Sequence, residues 1–428
     1  MNILIIGGGG REHCLAWKIS KSAMADKIFA APGNIGMAGV AECVDIGVND
    51  FKSLADFAVD QNIGLTVVGP EAPLVEGIAD YFRERDLDIF GPGKQGAKIE
   101  GSKVFTKNLA WKYKIPAARG HVFSEKDYKL AQKYIQDIDR YPLVLKADGL
   151  AAGKGVIIAN DRSQALVGLG DFFLNKKFGN AAHKIIIEEF LEGYELSLLC
   201  LYDGHRLLPL DTAQDYKRIF DQDRGKNTGG MGSYSPVPWA DKPLMDKIVN
   251  QIIEPTCRGL EAEQIDYRGI LYAGLMISDG QPYLLEYNCR FGDPETQAVL
   301  PRMEDDLLPY LVDCARGQLK IGEAAWSRKK CVCVILASRG YPETSSKGDI
   351  ITGLKDVTGD ESILVFHAGT GGKDGHVATN GGRVLGVVNM ADSFEEARKN
   401  IYAAIEKIKF EGKQFRTDIA LSAEEGNL

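Results

Sequence analysis

The densest cluster of reactive side chains lies in Pro282-Tyr283-Leu284-Leu285-Glu286-Tyr287-Asn288-Cys289-Arg290-Phe291-Gly292-Asp293-Pro294-Glu295. Successive side chains of a strand point to opposite faces. Glu286, Asn288 and Arg290 are therefore expected on one face, with Tyr287 and Cys289 in the core and the two tyrosines packed opposite the charges. A carboxylate and an amide oxygen at this spacing suit magnesium held between protein and phosphates. Arg290 beside them can fork onto a carboxylate or phosphoryl oxygen. A solvated charged face would explain neither the tyrosines nor the Gly292-Asp293-Pro294 turn.

Cations suited to phosphates lie elsewhere in the chain. Tyr141–Lys146 reads as an apolar strand closed by Lys146, followed by a loop with Gly149, Gly153 and Gly155. This is no P-loop, because three residues separate Gly149 from Gly153 and Gly155 replaces the magnesium-binding Ser/Thr. It leads into a second strand, Val156–Ala159, and so reads as a hairpin flap whose backbone N–H groups could cover a triphosphate. Lys107, on a helix expected over Lys103–Tyr113 with Ser102 as N-cap, is a second candidate cation. The strand Lys184–Phe190 ends in acids, where Glu188 and Leu191 suit an adenine slot and Glu195 a ribose. Asp215-Tyr216-Lys217-Arg218 and Asn227-Thr228-Gly229-Gly230-Met231-Gly232 flank a polar stretch that on its own reads equally as a surface loop.

The elements that must hold these groups follow from periodicity. Asn2–Ile6, Ile28–Ala31, Leu65–Val68 and Asp88–Phe90 read as short buried strands, with helices over Glu12–Ser20, Phe51–Gln61 and Leu74–Arg85. That alternation implies an open parallel α/β sheet with its functional loops at the strand carboxyl ends, here Gly7–Gly10 and Gly69–Pro73. A dinucleotide fingerprint fails by register, since its last glycine would fall on Glu12 or His13. A smaller α/β unit is expected over 121–195 and a strand-rich body over 196–325. Strands Cys331–Ser338, Ile363–His367 and Val384–Met390 follow, then a helix Phe394–Ile408 opened by a Ser393/Glu396 capping box.

Composition narrows the class. The 428 residues suggest two to four domains at roughly 100–200 residues each. The net charge of -8 argues against a nucleic-acid protein, and no apolar run is long enough for a membrane span. Met1–Ile6 lacks the basic flank of a signal peptide. None of the eight cysteines has C-x-x-C spacing, so reduced, buried thiols of a cytoplasmic protein are expected.

Six ordered segments resemble the phosphoribosylamine–glycine ligases of the ATP-grasp superfamily: Gly8–His13, Gly69–Leu74, Lys146–Gly155, Asn227–Gly232, Asn288–Thr296 and Thr379–Val384. The resemblance implies an α/β and α+β multidomain fold. Its parts would be an N-terminal open parallel α/β domain (1–102), an ATP-grasp domain (103–325) with its flap subdomain, and a C-terminal α+β domain (326–428). It implies ligation of glycine to phosphoribosylamine with ATP and Mg2+ or Mn2+, through a glycyl phosphate, by a cytoplasmic monomer that binds no nucleic acid. On this resemblance Lys107, Lys146, Gly149 and Gly153 face the phosphates, and Glu188, Leu191 and Glu195 face adenine and ribose. Glu286 and Asn288 hold the metal, and Lys146 and Arg290 carry the catalysis. Gly9, Gly10, Arg11, Glu12, Pro70, Glu71, Asp215, Lys217, Arg290 and Asp293 meet the substrates. Cys14 and Cys289 stand where the family usually has alanine, and neither change removes a charge that the chemistry needs. A carboxylase of the same superfamily, which would need bicarbonate instead of glycine, and a non-catalytic nucleotide-binding protein are the alternatives.

Overall fold

The computed structural model describes residues 1–149, 155–177, 179, 183–320 and 322–424. The N-terminal part is a parallel sheet of β1 (Asn2–Gly7), β2 (Lys27–Pro32), β3 (Glu42–Cys43), β4 (Ile63–Val68) and β5 (Ile89–Phe90), ordered β3-β2-β1-β4-β5. Ile3–Ile6 are fully buried, as a central parallel strand covered on both faces requires. Strand order reverses at β1, so the loops after β1 and β4, Gly8–Gly9 and Gly69–Pro70, meet at the switch point.

Two helices there differ from expectation. The first spans Gly10–Ile19 and starts two residues early, because the Glu12 carboxylate accepts the Gly9 N–H at 2.6 Å and draws the glycines into its first turn. The stretch expected as one helix over Leu74–Arg85 is two, Glu71–Glu76 and Ile78–Arg83. They break at Gly77, whose φ of +102° suits glycine and few other residues. A further helix, Lys94–Gly101, had no counterpart in the sequence reading. It runs into the expected helix Lys103–Lys112, where the Ser102 hydroxyl accepts the Phe105 N–H at 3.0 Å.

The small unit is an antiparallel sheet of β6 (Gly120–Ser124), β7 (Leu143–Ala147), β8 (Val156–Ala159) and β9 (Lys184–Glu189), ordered β6-β9-β7-β8. Helices Tyr128–Asp137 and Arg162–Phe173 pack on it around a core of its own that includes Phe123, Ile135, Leu145 and Phe172. Strands β7 and β8 form the expected hairpin, and the Ala147 N–H donates to the Gly155 carbonyl at 2.8 Å. Leu150–Lys154, Gly153 among them, lie outside the described residues.

The body contains β10 (Tyr194–Tyr202), β11 (Leu207–Asp215), a ribbon of β12 (Arg218–Phe220) and β13 (Arg224–Asn227), β14 (Gly232–Ser235), β15 (Gly269–Ser278) and β16 (Gln281–Asn288). The last segment adds β17 (Lys330–Ala337), β18 (Ile363–His367), a ribbon of β19 (Thr370–Lys373) and β20 (His376–Thr379), and β21 (Arg383–Ala391). One eight-stranded sheet, β16-β15-β10-β11-β14-β17-β21-β18, joins the two segments through antiparallel β14 and β17. The helix Phe394–Lys407 buries Phe394, Ala397, Ile401, Ala404 and Ile405 on one face, with the Ser393 hydroxyl accepting the Glu396 N–H at 3.1 Å. All eight cysteines are free and six are buried, whereas Cys43 is exposed and Cys257 half-buried. Among the described residues no helix is long and apolar enough to cross a membrane. The fold class is the expected one, an open parallel α/β part followed by mixed α/β and α+β parts.

The first helix docks on the last segment. The Asn34 amide donates to the Gly8 carbonyl at 2.8 Å and the His367 carbonyl at 2.9 Å, and the His367 N–H donates to His13 Nδ1 at 2.9 Å. Burial, with His367 adding to it, lowers the His13 pKa to about 3, so its ring stays neutral in the folded chain. Such a depressed pKa contributes stability above the ordinary value near 6.5, which is lost as the pH falls towards 3. Burial lowers His367 in the same sense, to about 4. Between pH 7 and pH 5 the parent chain is expected to lose about 2 kcal/mol more stability than His13→Gln, at about 1.4 kcal/mol per pH unit. Denaturant titrations at the two pH values check this, and parallel losses would remove His13 as a source of acid lability.

Candidate active site

Three elements bring the expected phosphate cations together. Lys107 projects from the helix Lys103–Lys112, Lys146 from β7 and Glu188 from the neighbouring β9, where Val144 pairs with Glu188. Lys107 Nζ lies 2.6 Å from Glu188 Oε2 and donates to the Ala118 carbonyl at 3.1 Å, while Lys146 Nζ meets Glu188 Oε1. The three side chains are 7%, 13% and 2% exposed, so this is a buried cation–anion–cation triad. Burial opposes the Glu188 charge, but Lys146 and Lys107 outweigh it and hold the pKa below the carboxylate norm. Burial lowers the Lys107 pKa, with Glu188 opposing. Glu188, read from sequence as an adenine contact, is thus the counter-ion of both lysines. The triad lines a cavity together with Ile99, Ala110, Ala117, Ile186 and Leu284, and Glu286 is on the same lining.

The charged strand edge forms the opposite wall. Tyr287 and Cys289 are buried, as alternation requires, and Glu286, Asn288 and Arg290 are half-buried on the other side. Tyr283 departs from the expected arrangement. The β15–β16 register shifts between Gly274 and Leu275, which pair with Glu286 and Leu284, so Leu285 is an extra residue. The bulge moves Tyr283 to the Glu286 face and leaves Leu284 beside Tyr287 in the core. Burial opposes the Glu286 charge, but Lys217, Lys103, Lys146 and Arg290 outweigh it and keep its pKa low. Asn288 Oδ1 accepts from Arg290 Nη2 at 3.2 Å. One ionised carboxylate and one amide oxygen fit a hard divalent cation. Among the described residues no group of three or more His, Cys, Asp or Glu could hold a metal ion, and Glu286 with Asn288 could supply only part of a coordination shell.

Arg290 is fixed by acids from two other elements. Its Nη2 lies 2.9 Å from Glu100 Oε1 and its Nε 3.4 Å from Glu71 Oε2. Burial works against the guanidinium charge, and Glu100 and Glu71 more than offset it. Glu100 also accepts the Cys289 N–H at 2.8 Å, and its own pKa is raised by burial against the pull of Arg290. Glu100 was missed from sequence, because its helix Lys94–Gly101 is glycine-bearing and only weakly patterned.

The remaining expected residues form two groups. Lys217 Nζ lies 2.7 Å from Glu195 Oε2, so the ribose candidate and a substrate candidate are paired. Burial pushes Asp215 up to about 8, with Lys217 opposing and Glu295, Glu195 and Glu286 reinforcing. At the N-terminal loop, Arg11 Nε lies 2.6 Å from Glu12 Oε1 and Arg11 Nη1 donates to the Phe291 carbonyl at 3.0 Å. Asp293 accepts from Gln297 at 2.8 Å and lies 3.2 Å from Arg383 Nη2. Pro70 caps the helix that begins at Glu71, Gly149 follows β7, and Leu191 lies half-buried just beyond β9. Arg383 belongs to the Thr379–Val384 motif, but nothing local to that motif showed that it reaches this site.

Removing the charge of Glu188 leaves two buried ammonium groups without an anion, a change that typically costs about 3–5 kcal/mol. Glu188→Gln is therefore expected to destabilise the nucleotide-free chain by about 3 kcal/mol in denaturant unfolding. A loss under about 1 kcal/mol would mean that the triad is not a buried ion cluster.

Comparison with known proteins gives matches along most of the chain. Residues 1–100 match the phosphoribosylglycinamide synthetase N domain, 101–296 its ATP-grasp (A) domain and 331–422 its C domain. The phosphoribosylamine–glycine ligase of Caldanaerobacter subterraneus subsp. tengcongensis is 47% identical, over 98% of this chain and 99% of its own. That of Halalkalibacterium halodurans is 45% identical, over 99% and 97%. The crystal structure of the Thermotoga maritima phosphoribosylamine–glycine ligase superposes with a TM-score of 0.85 at 34% identity, covering 98% of this chain and all (100%) of the other. The biotin carboxylase domain of Hydrogenobacter thermophilus 2-oxoglutarate carboxylase shares the fold at 17% identity, with a TM-score of 0.71 and coverages of 97% and 91%.

Proposed function

We propose residue roles from one premise: the chain belongs to the phosphoribosylglycinamide synthetase family, the phosphoribosylamine–glycine ligases. It is an ATP-dependent carbon–nitrogen ligase of purine biosynthesis that joins glycine to 5-phosphoribosylamine, giving glycinamide ribonucleotide, ADP and phosphate. Its cofactors are ATP and Mg2+ or Mn2+. We further propose that it acts as a cytoplasmic monomer without nucleic-acid or membrane partners. The domain divisions proposed are 1–102, 103–325 with a flap over 121–195, and 326–428.

A carboxylate repels an amine, so glycine must first be activated. Transfer of the γ-phosphoryl group of ATP to glycine gives glycyl phosphate, with a leaving group that a carboxylate lacks. The amine of phosphoribosylamine then attacks the carbonyl carbon, phosphate leaves and the nitrogen sheds a proton. Lys107 and Lys146 receive the phosphates, whose charge takes over from Glu188 as their counter-ion. The apolar wall with Leu191 holds adenine, and Glu195 accepts the ribose hydroxyls. Glu286 and Asn288 would hold the divalent cation, which when bound offsets phosphate charge. Gly149 and Gly153 are proposed as phosphate contacts, and exclusion of water from the site would protect the intermediate from hydrolysis.

Arg290, held by Glu100 and Glu71 and donating through Nη1 to the Phe291 carbonyl, has one further Nη1 N–H for the carboxylate that becomes phosphorylated. Asp215 is the partner for glycine's ammonium, since a cation beside it would return it to the ionised form. Lys217 stands ready for the glycine carboxylate. Gly9, Gly10, Arg11 and Glu12, with Pro70, Glu71 and Asp293, line the place for the sugar phosphate, at the switch point where such loops bind ligands. No side-chain nucleophile is required. The observation that carries these roles is the placement of the lysine triad and the Glu286 strand edge on one cavity.

Phosphate release is expected only when ATP, glycine and phosphoribosylamine are all present. Release that depends on bicarbonate instead of glycine would assign the chain to another ligation. Glu286→Ala is expected to lower kcat by about 100-fold or more. A near-normal rate would remove Glu286 from the metal half-site.

A further inference from the structure

The Thr379–Val384 and Asn227–Gly232 motifs lie in different segments, and one side chain joins them. Arg383 Nη1 donates to the Gly229 carbonyl and to the Asp293 carbonyl, the latter at 2.7 Å, and its Nη2 lies 3.2 Å from Asp293 Oδ2. The side chain is 22% exposed and Asp293 14%, so the guanidinium sits within the fold at the edge of the site. Burial works against its charge, and Asp293, Tyr341 and Glu295 together outweigh it.

Both loops that Arg383 grips lead to proposed acceptor residues. Gly229 follows Thr228, whose N–H and hydroxyl donate to the Lys217 carbonyl at 2.7 and 2.8 Å. Asp293 lies three residues beyond Arg290. The loops touch directly, since a Cβ on Gly230 would stand 2.4 Å from Pro294 Cδ, and φ at Gly230 is +106°. Tyr341, from the same late segment as Arg383, accepts the Gly229 N–H at 2.9 Å. Lys217 follows β11 and Arg290 follows β16, strands that are not neighbours in the sheet.

We propose that Arg383 is a positioning residue that sets the spacing between the Lys217 loop and the Arg290–Asp293 turn, and so the fit of glycine and phosphoribosylamine. The proposal rests on the acceptor-site reading above. The proposed phosphate cations, Lys107 and Lys146, pair with Glu188, and Arg383 touches none of the three. Loss of the grip therefore separates acceptor binding from nucleotide binding.

Two variants test it. Arg383→Lys keeps the charge but loses the fork that holds two carbonyls and a carboxylate. Gly229→Ala keeps the arginine and adds a methyl 3.1 Å from its Cζ, so the guanidinium must shift by a few tenths of an ångström. Steady-state kinetics with each substrate varied in turn should show both variants raising the KM for glycine and for phosphoribosylamine about tenfold, with the KM for ATP within about twofold of the parent. Acceptor KM values unchanged in either folded variant, or an ATP KM that rises in step with them, would overturn the proposal. A parent enzyme whose phosphate release needs both glycine and phosphoribosylamine upholds the functional reading whatever these variants do.

Discussion

Two ammonium groups share one carboxylate beneath the small sheet, and most of the site's behaviour follows from that crowding. Moving ions out of water costs several kcal/mol each, and a lone buried lysine would instead tend to lose its proton. Glu188 lets Lys107 and Lys146 stay close together without nucleotide, and in the proposed reaction a polyphosphate would replace it as their counter-ion. The lysines come from a helix and a strand on either side of β9, so the triad also ties the small unit to the helix Lys103–Lys112.

Across the cavity the same logic runs with the signs reversed. Glu286 is kept ionised by four surrounding cations, Lys217, Lys103, Lys146 and Arg290, against the pull of burial. Arg290 is in turn pinned by Glu100 and Glu71. Each charged group is held by an opposite charge from a different element, which preorganises the site. The eight-stranded sheet carries this arrangement from β16 through to β21, and Arg383 at the start of β21 turns back to grip the Asp293 turn.

Much of this was legible because strand and helix periods are local. The alternation from Glu286 to Arg290 placed the charged face correctly, and the capped helix Phe394–Lys407 buries Phe394, Ala397, Ile401, Ala404 and Ile405 along one face. The β7–β8 hairpin followed from a strand, a glycine run and a second strand. What escaped notice was set by contacts distant in sequence or by single backbone events. Glu100 bonds to Cys289, 189 residues away, from a helix with little periodic signal. Arg383 bonds to Gly229 and Asp293 across 154 and 90 residues. The bulge at Leu285 moved Tyr283 to the opposite face, and one left-handed glycine, Gly77, divided an otherwise continuous helical pattern. The pairing of Glu188 with both lysines was hidden for the same reason, since strand neighbours cannot be read from one strand's composition.

The central claim is that the lysine triad and the Glu286–Asn288 edge enclose one nucleotide. A crystal structure with a non-hydrolysable ATP analogue and magnesium tests it most directly. The expected result has the polyphosphate between Lys107 and Lys146 on one side and Glu286 and Asn288 on the other, with the metal on the latter pair. Nucleotide bound elsewhere, with Glu188 still joining the two lysines, would contradict the account.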